Sequence, residues 1–173
     1  MQTIITEAEE QRYAELQQIA LDHARHGETA SLAAMLDHGL PVNLADTKGQ
    51  SLLMLAGYNG NLETTRLLLA RGAAVDQRND RSQTPLGGAA FRGHVEIVAL
   101  LLAHGANIDA DNGGGMTPIM FAAMFGRTRV VEQLKAHGAS LKHRNCLGIS
   151  AGLMARLSRW LTRIFRRREL QPV

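Results

Sequence analysis

At 173 residues, 45% of them hydrophobic and 20% charged, the chain has the size and composition of one soluble globular domain. No apolar run approaches the roughly 18 residues of a membrane span, Met1 to Ala20 is acidic and polar where a secretion signal would be basic and then apolar, and a single cysteine, Cys146, excludes a disulfide framework within a monomer. The expectation is a cytoplasmic protein whose charge is divided: eleven basic against fifteen acidic residues up to Leu141, then eight basic against Glu169 alone.

Thr6-Glu7-Ala8-Glu9 is a capping-box signature, and Tyr13, Leu16, Ile19, Ala20 and Ala24 follow at helical spacing. They predict one long helix to about His26, with a charged face outward. A second helix is expected over 31–37, ended by Gly39.

From here the chain repeats with a step of 33 residues and no insertion. Gly27, Gly60, Gly93 and Gly126 keep that step, as do Gly39, Gly72, Gly105 and Gly138. Thr84-Pro85 recurs as Thr117-Pro118, with Ser51 and Ser150 at the Thr position, and Asp109 is matched by Asn43, Asp76 and Lys142. Thr84 and Thr117 read as N-caps followed by Pro at the first helical position, where a missing N–H costs nothing. Small pairs such as Ala89-Ala90 and Ala122-Ala123 let two helices approach closely, and Leu67-Leu68-Leu69 and Leu100-Leu101-Leu102 supply the layer between repeats.

Two stretches depart from this economy. Gly87-Gly88 puts two glycines inside a helix, at a cost on the order of 2 kcal/mol relative to alanine. Either the neighbours tolerate drift there, or a partner approaches this backbone closely. Gly113-Gly114-Gly115 leaves the next turn bare, but no Gly-Lys-Ser/Thr follows, so a phosphate-binding loop is discounted.

The period, the Thr-Pro-Leu start, the Ala-Ala pair and the Gly93-His94 dipeptide together resemble the ankyrin repeat, over roughly residues 20–150. The likeness is most specific over 80–112 and 113–145, good over 47–79 and weak before that. Where the family usually has His-Leu before its alanine pair, this chain has Gly87-Gly88. The resemblance implies an all-α solenoid of about four helix-turn-helix repeats: a capping helix with a degenerate first repeat (1–46), repeats at 47–79, 80–112 and 113–145, and a basic C-terminal capping helix (146–173). A solenoid needs such ends, because each repeat buries its apolar face only against neighbours.

The last segment begins like a fifth repeat (Leu147-Gly148-Ile149-Ser150), but position 159 is Arg where the helix-ending Gly is due, so the helix should continue. Leu153, Leu157, Trp160, Leu161 and Ile164 form an apolar stripe, with Arg156, Arg159, Arg163, Arg166, Arg167 and Arg168 around it. The stripe either seals the fourth repeat or makes a basic amphipathic helix suited to an anionic membrane, nucleic acid or an acidic protein. Trp160 and Phe165 would suit a membrane interface; nucleic acid is the less favoured ligand.

No catalytic constellation, metal site or cofactor site is expected. His38, His104 and His137 share one repeat position before a helix-ending glycine, where a cation suits the helix dipole. Arg71 fills it in the second repeat, and successive layers about 10 Å apart cannot share an ion that needs ligands at about 2 Å. The family resemblance instead implies a partner protein held on the concave surface. Its variable positions here are Arg25-His26, Tyr58-Asn59, Phe91-Arg92 and Met124-Phe125 on the inner helices, with Thr47, Lys48, Gln50, Asp80, Arg81, Gln83 and Met116 on the turns. Aromatics, Met and Arg in such places are the residue types of interface hot spots, whereas Phe121 is expected in the core. The chain is read as a monomer when free that binds another protein without chemistry of its own, as a stoichiometric inhibitor, an immunity protein or an adaptor. The alternative is a peripheral anchor acting through the basic helix.

Overall fold

A capping box opens the first helix. In the computed structural model, which describes residues 6–158, the Thr6 hydroxyl accepts from the Glu9 amide at 3.3 Å and the Glu9 carboxylate accepts from the Thr6 amide at 2.8 Å. The helix, α1 (Glu7–His26), ends at Gly27 in the left-handed region. Of the residues at helical spacing, Ala20 and Ala24 are buried, together with Leu21, whereas Tyr13, Leu16 and Ile19 are exposed. The reason is length. At about 1.5 Å per residue, the twenty residues of α1 reach well past the eight or nine of its neighbours, so its N-terminal half overhangs the stack.

Two rows of helices follow. The inner row packs α1, α3 (Leu52–Asn59), α5 (Pro85–Arg92) and α7 (Pro118–Met124) side by side; behind it lie α2 (Thr29–Asp37), α4 (Leu62–Ala70), α6 (Val95–Ala103) and α8 (Thr128–Ala136). Leu32, Leu53, Leu68, Leu86, Ile97, Leu101, Ile119 and Leu134 are fully buried between the rows, and Ala56, Ala89, Ala90, Ala122 and Ala123 sit where inner and outer helices meet. Among the described residues there is no β-strand, only two isolated antiparallel bridges at turns, Ala45 with Ser51 and Arg144 with Ser150.

Ser51 and Thr84 cap α3 and α5, their hydroxyls accepting from Met54 and Gly87 amides at 3.2 and 3.1 Å. Thr117 holds the same place before Pro118 but makes no such bond, and its buried hydroxyl oxygen has no partner among the described residues. It is a cap by position and backbone only.

Two series of contacts lock repeat to repeat and a third closes the turns, each with the same step. Asn43, Asp76 and Asp109 accept from the amides of Ala74, Asn107 and Ser140 at 2.8 to 3.0 Å; Lys142, next in the series, carries only donors. Asn61 donates to the carbonyls of Ala24 and Arg25, His94 Nε2 to that of Tyr58 and Arg127 Nε to that of Phe91, at 2.9 to 3.1 Å. Each of these side chains thereby satisfies the C-terminal carbonyls of the preceding inner helix, which its own ladder leaves unpaired. In the turns, the amides of Asp46, Asn79, Asn112 and Asn145 donate to the carbonyls of Gln50, Gln83, Met116 and Ile149.

The two glycine departures belong to one device. Asp46, Asn79 and Asn145 use a side-chain oxygen to accept two amides of their own turn. In the third turn Asp111 takes that role for Gly113 and Gly115, one residue earlier. Gly113, Gly114 and Gly115 all have positive φ, which permits the shifted turn. Asn112 is thus free to point inward, into the space a Cβ on Gly87 would need.

Beyond the fourth repeat the backbone is helical again over 151–158, with Ala151 and Met154 buried but Leu153 and Leu157 exposed. Within 151–158 it is therefore Ala151 and Met154 that join the core, and not Leu153 or Leu157. Arg156 is exposed; Arg159, Trp160, Leu161, Arg163, Ile164, Phe165, Arg166, Arg167 and Arg168 lie outside the described residues. Among the described residues no helix is long and apolar enough to cross a membrane.

Candidate functional site

The inner helices place residues 25, 58, 91 and 124 in one row along the inner face, because each occupies the last turn of its helix. Tyr58 and Phe91 stack across the gap between α3 and α5, with centroids 6.1 Å apart and planes 15° from parallel. Phe91 meets Phe125 edge to face at 4.4 Å and Phe121 at 6.3 Å. The row is thus a continuous aromatic ladder over three repeats. Tyr58, Met124 and Phe125 are 39, 40 and 43% exposed, and Phe91 is half-buried beneath its neighbours. Arg92 lays its guanidinium 5.2 Å from the centre of the Tyr58 ring, in cation–π range.

Not every expected member joins the row. Met116 packs on the core, half-buried, with its sulfur 3.5 Å from the Asn145 amide nitrogen. Its turn is closed by the hydrogen bond from Asn112 to its carbonyl, which draws the side chain inward. Asn59 is exposed, but its amide turns back to the Leu55 carbonyl at 2.8 Å. On the turn, the Gln83 side-chain oxygen is held by Asn79 at 3.0 Å, and the Asp80 amide donates to Lys48 across to the previous repeat. Arg81 and Asp80 project into solvent beside them.

Between the ladder and these turns lies a cleft of about 500 Å³. Its walls include Tyr58, Phe91 and Phe121, its floor is the α5 backbone at Gly87 and Gly88, and Arg25 and Arg81 stand on the rim. Arg25 is held by Asp22 at 2.7 Å and Asp46 at 3.3 Å. Hydrogen bonding from Gln18, then the Arg25 contact, keeps the Asp22 carboxyl below its usual range. Phe121, expected in the core, is half-buried and forms part of this wall. Sequence reasoning found the row but not the cleft behind it; the Gly87-Gly88 pair was the available signal.

The histidines play a structural part. Nδ1 of His38, His104 and His137 lies 2.7 to 2.9 Å from the carbonyl four residues earlier, closing each outer helix. Among the described residues no group of three or more His, Cys, Asp or Glu side chains could hold a metal ion.

Residues 53–145 match the family model for ankyrin repeats in three copies, 93 of the 173 residues. A Pseudomonas aeruginosa protein described as an ankyrin repeat protein is 52% identical over 46 residues. That stretch is 27% of this chain and 27% of the relative, so the chain matches about a quarter of that relative's length.

Proposed function

The chain belongs to the ankyrin repeat family, whose repeats are in general non-catalytic protein-binding modules, and on that premise we propose that it holds one partner protein on its concave face. The binding row is Tyr58, Phe91, Met124 and Phe125, with Arg92 beside Tyr58 and Asp80, Arg81 and Gln83 on the adjoining turn. The observation that supports this reading is the unbroken aromatic ladder from α3 to the end of α7, exposed on a face where a bare scaffold has no need of rings. Inhibitor, immunity protein and adaptor would all use this row, and the identity of the partner decides among them.

The test is affinity capture from the native host with the full chain, comparing wild type with Met124→Ala/Phe125→Ala. Loss of one captured protein with little change in Tm supports the row. Equal capture by both forms sinks it.

A second reading draws on the exposed Leu153 and Leu157, one helical turn apart next to Arg156. It is that the C-terminal helix rests on an anionic membrane. Sedimentation with phosphatidylserine vesicles should then fall steeply between low and moderate salt, and salt-independent or absent sedimentation counts against it.

A further inference from the structure

Gly87 and Gly88 are adjacent, but only one of them is required by packing. A side chain at 87 would collide with Asn112. A Cβ at 88 would meet Tyr58 alone, at 3.5 and 3.9 Å, which is ordinary contact, and α5 has no backbone strain there. Since glycine in a helix interior costs about 1 kcal/mol relative to alanine, the fold itself gains nothing from Gly88. What Gly88 does provide is open volume above α5.

That volume has a definite chemistry. Its walls are largely aromatic, its lining contains no carboxylate among the described residues, and its rim carries two guanidiniums. The Arg25 charge is already met by Asp22 and Asp46, whereas Arg81 is exposed without an ion pair among the described residues. The unmet charge on the rim is thus that of Arg81, beside Asp80 on the same turn, on a stretch of chain, up to Leu141, in which acidic residues outnumber basic ones. A lone unpaired guanidinium beside an aromatic slot matches a carboxylate next to a ring, since arginine forks pair bidentately with carboxylates and buried rings anchor interfaces.

We propose that the cleft over Gly88 is a socket for an acidic, aromatic-bearing segment of the partner protein: one ring seats over Gly88 against Tyr58, Phe91 and Phe121 while a neighbouring Asp or Glu pairs with Arg81. This rests on the concave-face reading and adds to it the chemistry of what is bound. Arg92, held over Tyr58, keeps that wall upright.

The test is selection of a random peptide library against the full chain, then fluorescence polarisation of the enriched peptides with wild type and variants. Enriched sequences should carry Trp, Phe or Tyr within a residue or two of Asp or Glu. Gly88→Leu, which fills the socket, and Arg81→Glu, which reverses its rim and lies on an exposed turn, should each weaken binding by roughly tenfold or more, with the Gly88→Leu protein at least as heat-stable as wild type. Enrichment of basic or uncharged sequences, or no enrichment, overturns the proposal. So does full-strength binding by Arg81→Glu or by a folded Gly88→Leu. If Phe125→Ala abolishes binding while both of those variants bind normally, the row stands and the socket falls; if none of the three has an effect, both fall.

Discussion

The side-chain oxygen of Asn112 accepts from both the amide and the hydroxyl of Thr84, at 2.7 and 2.9 Å, across 28 residues of sequence. The Asn112 amide in turn donates to the Ala110 carbonyl at 2.8 Å, and all of this is buried. Removing it would orphan a buried backbone N–H, so Asn112→Ala should cost about 2 to 4 kcal/mol in chemical denaturation. Gly87→Ala should also destabilise wild type, because its Cβ enters the space of the Asn112 side chain. In the Asn112→Ala background the same change should be neutral or favourable, giving a coupling of about 1 to 3 kcal/mol in a double-mutant cycle. Strictly additive costs would show that the two residues do not compete for one space.

This pair also marks where the sequence stops being legible. The 33-residue step is enough to place the helices, the caps at Ser51 and Thr84 and the row of Tyr58, Phe91 and Phe125, because those depend on local propensity and on a periodicity that can be counted. The relation between Gly87 and Asn112 depends on a turn shifted by one residue, and Asp111 and Asn112 are both ordinary turn residues until the backbone shows which one points inward. Met116 and Phe121 depart from their expected places for a similar reason. Burial at a repeat edge is decided by the neighbouring turn, which position within a repeat does not reveal. The exposed half of α1 reflects helix length against its neighbours, a quantity that hydrophobic spacing alone does not weigh.

The acceptors Asn43, Asp76 and Asp109 need an oxygen, not a charge. Asp76 accepts from the Asn107 amide at 3.0 Å as Asn43 does from that of Ala74 at 2.8 Å. Asp76→Asn should therefore leave stability within about 0.5 kcal/mol of wild type, whereas Asp76→Ala should cost about 1 kcal/mol, both read by urea denaturation. Equal losses would mean that the carboxylate acts through its charge.

Phe91 and Phe125 are not equivalent members of the row. Phe91 is half-buried and touches three other rings, while Phe125 is 43% exposed and meets only Phe91 among the described aromatics. Phe91→Ala should lower stability by roughly 2 kcal/mol through lost ring packing, and Phe125→Ala by no more than about 1 kcal/mol. Thermal unfolding of the two single variants checks this. A larger loss at Phe125 than at Phe91 would place the wrong ring at the solvent edge, and binding studies should then rely on Met124 and Tyr58 instead.

The capping box at the start of α1 carries the clearest dependence on pH. Hydrogen bonds to the Glu9 carboxylate, first from the Thr6 amide and then from the Thr6 hydroxyl, hold its pKa below the ordinary glutamate value. A carboxyl depressed in the folded state lends stability that is fully present above its unfolded pKa and disappears as pH falls through the folded one. The first turn of α1 should therefore loosen on acidification, seen as a drop in the helical 13Cα shifts of residues 7–10. Because that end of α1 overhangs the stack, the loosening should remain local, with no matching change in the shifts of α3 or α5. Thr6→Ala should raise the Glu9 midpoint in a side-chain carbon titration and fray the same residues at neutral pH. If the midpoint stays where it was, the backbone amide alone sets it, and the hydroxyl contributes nothing to the box.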